Sequence, residues 1–152
     1  MSEGTIHSLL KELKATKNSN VRSQIFKTLS ALAKAIQFEL DGYFLLLIPE
    51  LIKSINDAHN IENILDSLMI MSRLFRSAKG KGVAKFHSAS KEICEMLKST
   101  VDHNNLRVVG LGLRVIGHFI STLEDADGKL IPQFSILAKP FHTAIHQHLS
   151  KQ

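Results

Sequence analysis

The chain has 152 residues, which is long enough for one domain with a substantial core, and it is 44% hydrophobic and 22% charged, as in ordinary soluble proteins. Its formal net charge of +5 is compatible with an acidic partner but is far below that of a nucleic-acid-binding tail. The longest uncharged apolar run, Tyr43 to Pro49, is too short to span a bilayer, and the N-terminus lacks the apolar run of a signal peptide.

The first third of the chain shows two stretches with apolar residues at helical spacing. Thr5 to Ala15 carries them at i, i+3, i+4 and i+7, which predicts an amphipathic helix. The polar turn Thr16 to Asn20 follows and offers side chains that can cap a second helix, predicted from Val21 to Ile36. We expect residues 37–42 to be a connector, with its turn at Asp41-Gly42.

The middle of the chain is its most apolar part and predicts a helical hairpin. A third helix is predicted from Phe44 to Ile55, in which Pro49 should either produce a kink or mark the true start. A polar turn at residues 56–60 separates it from a fourth helix, Ile61 to Ser77. The segment Lys79-Gly80-Lys81-Gly82 lacks the GxxxxGK[ST] frame of a phosphate-binding loop, so we expect a flexible connector there.

The last third of the chain repeats the same form. We predict a fifth helix from about His87 to Thr100, a sixth from Leu106 to Thr122, and a seventh from roughly Ile131 to Leu149 that is kinked or split near Pro140. No stretch alternates with a period of two, so an all-α chain is expected. Cys94, the only cysteine, falls within the apolar pattern of the fifth helix; we expect a buried, inert thiol in a reducing compartment, the cytoplasm or the nucleus.

The sequences of the second helices of the three hairpins can be superposed on one another, position by position. The matched sets are Ile25, Phe26, Leu29, Leu32 and Ile36; Ile64, Leu65, Leu68, Met71 and Phe75; and Val109, Gly110, Leu113, Ile116 and Ile120. Successive sets are 39 and 45 residues apart, close to the period of about 40–47 residues in HEAT and armadillo repeats. The alternative is a closed helical bundle, which has no need of equal spacing.

The repeat predicts a right-handed α–α superhelix of HEAT/armadillo-like hairpins. We expect about three and a half repeats, because the seventh helix has no partner to complete a fourth hairpin. Residues 1–152 then form a single domain, with repeats at about 5–36, 44–77, 87–122 and, in part, 131–149. From the unpaired last helix we expect a piece of a longer solenoid or, alternatively, a short solenoid with an improvised cap.

The same superposition produces a stripe of basic residues on the second helices. Because these helices usually line the concave side of a HEAT solenoid, the stripe is a candidate surface for a protein partner. The candidate partner-binding residues are Lys27, Lys34, Arg73, Arg76, Arg107, Arg114 and His118. The alternative is an ordinary solvated face, since such faces are commonly rich in Lys and Arg.

We find no set of residues that identifies a reaction. His142 and His146 have the i, i+4 spacing of zinc ligands, with His148 nearby, but no Cys, Asp or Glu between residues 132 and 152 completes a ligand set. No paired carboxylates are placed for acid–base chemistry, and there is no aromatic platform for nucleic acid. We therefore expect no enzyme activity, metal, cofactor or small-molecule substrate, and no nucleic-acid or membrane partner.

Four short segments of the chain resemble the middle of the cullin-associated (CAND) scaffold proteins. These are the helix end and turn Leu47 to Asp57, the pair Phe86-His87, the pair Val101-Asp102, and the helix Leu106 to Leu123. The resemblance extends over roughly Ile6 to Leu149. It implies a non-enzymatic HEAT scaffold that wraps a cullin–RING ubiquitin ligase core and promotes exchange of substrate receptors. The blocking contacts of that family come from the ends of its solenoid, so no blocking residue transfers to this chain.

Three other functions remain open from the sequence. A nuclear-transport receptor (karyopherin-like) uses the same repeats, although acidic inner surfaces are typical of that class. A tubulin-binding HEAT module is another option, although the turns here lack the aromatic residue usual in such modules. An all-helical hydrolase that uses the histidines belongs to a different class and predicts a bound metal.

Overall fold

The computed structural model describes residues 3–35, 44–56, 60–77 and 87–123, together with Thr143, His146 and Ser150. Six α-helices account for most of these ranges, and no strand occurs within them. A short 3-10 turn, His87–Ala89, leads into the fifth helix. The helices are α1 (Glu3–Ala15), α2 (Ser19–Ala35), α3 (Phe44–Ile55), α4 (Ile61–Ser77), α5 (Ser90–Val101) and α6 (Leu106–Thr122).

The all-α prediction is confirmed, and the bounds of α3, α4 and α6 agree with those predicted. Pro49 lies inside α3 rather than at its start, five residues after Phe44, so the expectation that it marks the beginning of the helix is wrong. Predictions for residues 36–43, 78–86 and 124–142 fall outside the described residues. Of the predicted seventh helix, only Thr143 and His146 are described, and both are helical and exposed.

The helices pack as three hairpins arranged side by side. Within each hairpin α1 contacts α2, α3 contacts α4, and α5 contacts α6. Between hairpins, first helices contact first helices, α1 with α3 and α3 with α5, while second helices contact second helices, α2 with α4 and α4 with α6. The described helices therefore form two layers, and the most extensive contact joins α4 to α6.

One hydrophobic core runs through both layers. Its largest fully buried side chains include Phe26 of α2, Phe75 of α4 and Phe119 of α6, one from each second helix. Removing apolar surface from water is the main source of stability here, at about 25 cal/mol per Å². Most exposed side chains among the described residues are polar, but four large apolar residues are also exposed: Val21, Leu46, Met69 and Leu106.

The burial pattern departs from the predicted one in two helices. Val21, expected on the apolar face of α2, is 36% exposed, whereas its neighbour Arg22 is only 5% exposed. In α6, Gly110 of the predicted apolar set is exposed, and Leu113 and Ile120 are only partly buried. Val109 and Ile116 of that set are buried as predicted, and the buried side also includes Val108, Val115 and Phe119.

Each second helix begins after an asparagine that caps it. Asn18 Oδ1 accepts hydrogen bonds from the amides of Asn20 (2.9 Å) and Val21 (3.2 Å). Asn60 Oδ1 accepts from Asn63 N at 3.1 Å, and Asn105 Oδ1 accepts from Arg107 N at 2.9 Å. Each cap satisfies first-turn donors that have no partner within the helix. The three caps are 42 and 45 residues apart, so they recur once per hairpin.

Arg22 joins the first two hairpins through a buried ion pair. Its Nη1 donates to the Leu13 carbonyl at 2.7 Å and to Glu50 Oε2 at 3.2 Å, and its Nη2 donates to Ser54 Oγ at 2.6 Å. The guanidinium also lies 5.8 Å from the centre of the Phe26 ring. Since a buried charge is tolerated only when it is paired and hydrogen-bonded, these contacts explain how an arginine is accommodated at the junction of α1, α2 and α3.

The third hairpin depends on a close approach of its two helices at Gly112. A Cβ built on Gly112 would lie 2.7 Å from the Thr100 Cβ and closer still to the Thr100 hydroxyl oxygen. Thr100 is 2% exposed, and its hydroxyl donates to the Leu97 carbonyl at 2.6 Å. The absence of a side chain at Gly112 is therefore what allows α5 and α6 to contact here.

Cys94 is buried in α5, as predicted. Burial, and to a smaller extent the neighbouring Glu95 carboxylate, raises the pKa of the Cys94 thiol to about 11. Both favour the neutral thiol over the thiolate, which is the nucleophilic form. Cys94 is therefore a packing residue of the core.

Candidate protein-binding surface

The outward face of the layer formed by α2, α4 and α6 carries the predicted basic residues. The three helices run parallel, because contacts between them advance together along both partners. Ser19 and Ser23 of α2 contact Asn63 and Asp66 of α4, through Asn63 Nδ2 to Ser19 O (3.0 Å) and Ser23 Oγ to Asp66 Oδ2 (3.0 Å). Residues in contact across this interface are thus 44 and 43 positions apart in the sequence. The predicted spacing was 39 positions, so the observed offset is larger by about one helical turn.

The interface between α4 and α6 follows the predicted offset of 45 residues closely. Near the start of both helices, Arg107 Nη2 donates to Glu62 Oε1 at 3.3 Å, a separation of 45 positions. Near their ends, Ser72 Oγ and His118 Nδ1 are 2.7 Å apart, a separation of 46 positions. The sequence superposition therefore identifies the correct neighbours across this interface.

The structure separates the seven predicted residues into two groups. Lys27 is exposed on α2, and the side chain of Lys34 lies outside the described residues. Arg107 is exposed and forms an ion pair with Glu62, so part of its charge is already neutralised. The other four lie in the C-terminal halves of α4 and α6, and we call them the cationic cluster: Arg73, Arg76, Arg114 and His118.

His118 is the centre of the cationic cluster. It is half-buried, with Nδ1 hydrogen-bonded to Ser72, and the donor in that bond depends on the tautomer of the ring. Its pKa is lowered from 6.5, mainly by desolvation and further by the positive charges of Arg76 and Arg114. Arg76 belongs to α4 and Arg114 to α6, so positive charges from both helices act on one imidazole. The ring is consequently neutral at pH 7.

The arginines of the cationic cluster have no acidic partner in the part of the chain that the structure describes. Arg76 and Arg114 are exposed, whereas Arg73 is partly buried and its Nε has no hydrogen-bond partner among the described residues. The acidic residues of this face, Glu62 and Asp66, lie nearer the start of α4. Within the described residues, the acids of this face thus lie toward the helix N-termini, and the arginines without an acidic partner lie toward the C-termini.

Two buried aromatic rings are in contact between the helices that carry the cationic cluster. The rings of Phe75 and Phe119 have centroids 5.0 Å apart at an interplanar angle of 46°, a favourable aromatic arrangement. Both side chains are fully buried, one on each of the helices that carry the cluster. The backbone positions of the cationic side chains are thus held by the most extensive helix contact of the fold.

The sequence analysis missed Ser72 as the hydrogen-bond partner of His118. Ser72 is only 6% exposed, so it orients the imidazole rather than contacting a ligand. A buried serine on an apolar helix face is a common feature, and only the 46-residue separation from His118 could have indicated it. This arrangement can present two guanidinium groups and an imidazole N–H to an anion.

The described residues contain no group of three or more His, Cys, Asp or Glu side chains arranged to hold a metal ion. His142 and His148 fall outside the described residues, and His146 is exposed. None of the helices in the described ranges is long and apolar enough to cross a membrane.

The titration of His118 tests the geometry of the cationic cluster. In a histidine-ring NMR titration we expect its pKa to lie below the ordinary 6.5 and to rise toward that value in Arg76→Gln and Arg114→Gln variants. Because the pKa of His118 is lowered in the folded chain, the unfolded chain binds this proton more readily. The contribution of His118 to stability is therefore fully present above pH 6.5 and is lost as the pH falls. Lys91→Gln, on the other layer, should leave the pKa unchanged. A His118 pKa that stays the same in the Arg76→Gln and Arg114→Gln variants would show that the arginines are not close to the ring.

No protein-family model, curated protein or solved structure matches this chain.

Proposed function

We propose that this chain is a non-enzymatic protein–protein interaction scaffold of HEAT type, and that it binds its partner on the outward face of α2, α4 and α6. The observation that carries the proposal is the stacking of three hairpins with like helices in contact. This is how repeat solenoids build an extended surface from successive second helices. The arginines of the cationic cluster, which have no acidic partner among the described residues, lie on that surface and support an electrostatic contact with an acidic partner region.

The partner class that we propose is a cullin–RING ubiquitin ligase core. The support for it is the resemblance of Leu47 to Asp57 and of Leu106 to Leu123 to the middle of the CAND scaffolds. Under this proposal the protein would act in the cytoplasm or nucleus, where it would favour exchange of substrate receptors. A karyopherin-like or tubulin-binding segment is the alternative, and it differs in the partner rather than in the architecture.

Charge reversal on the second-helix layer tests the proposal. The double variant Arg76→Glu/Arg114→Glu should weaken partner capture at least about tenfold, since unlike charges become like charges across the interface. The matched control, Lys11→Glu/Lys91→Glu, makes the same charge change on exposed residues of α1 and α5 in the other layer. Circular dichroism checks that both variants keep their helices. Capture by the wild type should also weaken as salt is raised.

The measurement is affinity capture followed by mass spectrometry, and then direct binding to the purified candidate partner. Recovery of a cullin core that Arg76→Glu/Arg114→Glu fails to bind supports the leading proposal. Recovery of transport cargo or tubulin instead supports the alternative. Equal capture by the wild type and both variants would remove the second-helix layer from consideration.

A further inference from the structure

The cationic cluster is more compact than an acidic protein surface requires. Ser72 Oγ of α4 and His118 Nδ1 of α6 are 2.7 Å apart, and Arg76 lies about one helical turn after Ser72 and Arg114 about one turn before His118. Arg107 is ion-paired about three turns away, near the start of α6. We infer that the cationic cluster is a recognition site for a phosphorylated segment of the partner protein, with the phosphate bound by Arg76, Arg114 and His118. This inference rests on the proposed function, whose binding surface it makes more specific.

The distribution of charge favours a phosphate over a run of carboxylates. A phosphorylated side chain concentrates about −1.5 to −2 charges and three acceptor oxygens at one point. An acidic peptide spreads its charge and needs cations spread along the layer. In the N-terminal half of the described face, Arg107 is already paired with Glu62, so its charge is less available to an acidic peptide. Within the described residues, the C-terminal half carries two exposed arginines, Arg76 and Arg114, that have no acidic partner, and this arrangement is complementary to a compact dianion.

The donors of the cationic cluster also suit phosphate. Arg76 and Arg114 each present a planar fork of N–H groups, which matches phosphate oxygens in a bidentate manner. Ser72 occupies His118 Nδ1. When the neutral ring accepts from Ser72, or when the ring is protonated, Nε2 carries an N–H that can donate to an anion. Two helices thus supply three side chains with donors for one group.

Two effects oppose an anion at this position, and neither is large enough to exclude it. The cluster lies near the C-terminal ends of α4 and α6, where each helix dipole places roughly half a negative charge. The two full positive charges of Arg76 and Arg114 exceed these partial charges. The imidazole of His118 adds a hydrogen-bond donor even when it is neutral. Ordering the arginine side chains on binding also costs conformational free energy. Because both arginines are exposed, they remain hydrated in the free protein, and folding itself has not desolvated them.

The test uses the full chain and a fluorescent pool of short degenerate peptides with a fixed central residue, read by fluorescence anisotropy. The central residue is phosphoserine, serine or glutamate in three separate pools. We expect the phosphoserine pool to bind at least about tenfold more tightly than either other pool, because charge-assisted hydrogen bonds are the stronger ones. Arg76→Gln/Arg114→Gln should remove most of this difference. The control Lys91→Gln/Lys98→Gln, two exposed lysines of α5, should retain it.

A second readout locates the site. Addition of the phosphoserine pool should shift the ring NMR signals of His118 but not those of His7, which is on α1. Equal binding of the three pools, equal loss in the α5 control, or an unmoved His118 signal would each overturn the inference. Tighter binding of a single-stranded RNA oligonucleotide of the same charge would overturn it as well.

Failure of the inference is distinguishable from failure of the proposed function. If the phosphoserine pool shows no preference but Arg76→Glu/Arg114→Glu still loses the captured partner, only the phosphate specificity is wrong. If neither measurement responds to these arginines, the second-helix layer is not the binding surface.

Discussion

Arg22→Ala is expected to lower the free energy of unfolding by about 3–5 kcal/mol, the range found when one partner of a buried ion pair is removed. The loss has two parts. Glu50, whose side chain is 12% exposed, would remain as a largely buried carboxylate without its cation. The Leu13 carbonyl and the Ser54 hydroxyl would lose their donor at the junction of the first two hairpins. Urea unfolding followed by circular dichroism measures the change.

The chain supplies a matched control in its second Arg–Glu pair. Arg107 and Glu62 are separated by 3.3 Å, almost the same as the 3.2 Å between Arg22 and Glu50, but their side chains are 65% and 63% exposed. Exposed pairs contribute about 0–1 kcal/mol, so Arg107→Ala should change stability by no more than that. Similar losses for Arg22→Ala and Arg107→Ala would contradict our assignment of the buried pair as a structural junction.

Gly112→Ala is expected to destabilise the chain by about 1–3 kcal/mol, while Gly110→Ala and Gly117→Ala should each stabilise it by up to about 1 kcal/mol. All three glycines are inside α6, so the change in helix propensity is the same. Only Gly112 faces another helix, where a methyl group would collide with Thr100; a Cβ on either of the others would have nothing within 4 Å. Thermal or urea unfolding of the three variants measures the difference in sign.

A compensating variant separates steric overlap from other causes. In a Thr100→Gly background the Cβ that Gly112 faces is absent, so adding Gly112→Ala should cost much less than it does in the wild type. The coupling between the two positions, obtained from a double-mutant cycle, should be of the order of 1 kcal/mol or more. A penalty at Gly112 that does not depend on Thr100 would show that the helices α5 and α6 are not held together at this point.

The helices could be predicted because their apolar residues recur every three to four positions between turn-forming segments. The burial of Arg22 could not, because arginine is almost always exposed unless a partner is present, and its partners Leu13, Glu50 and Ser54 lie 9, 28 and 32 residues away. The pattern consequently favoured Val21, the adjacent apolar residue. In α6 the apolar residues cover most of the circumference, so the pattern could not decide which side is buried.

The interface between α2 and α4 shows why one spacing was predicted correctly and the other was not. A helix moved by one turn presents nearly the same set of faces, so apolar matching alone cannot distinguish 39 residues from 43. Polar contacts such as Ser23 with Asp66 fix the neighbours in space. The cap residues Asn18, Asn60 and Asn105 provide a less ambiguous marker, since each marks a helix start.

The sequence placed Arg73, Arg76, Arg114 and His118 on one surface but could not show which basic residues have an acidic partner among the described residues. A basic residue that is already paired, such as Arg107, has the same periodicity as one that is not. The distinction depends on the acidic side chain of a neighbouring helix, Glu62, and therefore on tertiary packing.

The parallel arrangement of α2, α4 and α6 also constrains the sequence of any segment that lies across them. Packed helices are separated by about 8–10 Å, and an extended chain advances about 3.3 Å per residue. A segment crossing the layer would therefore meet a new helix at roughly every third residue. Residues recognised by α4 and α6 would therefore be about three positions apart in the sequence of the partner. A shift of that segment by one residue would move both of them out of contact.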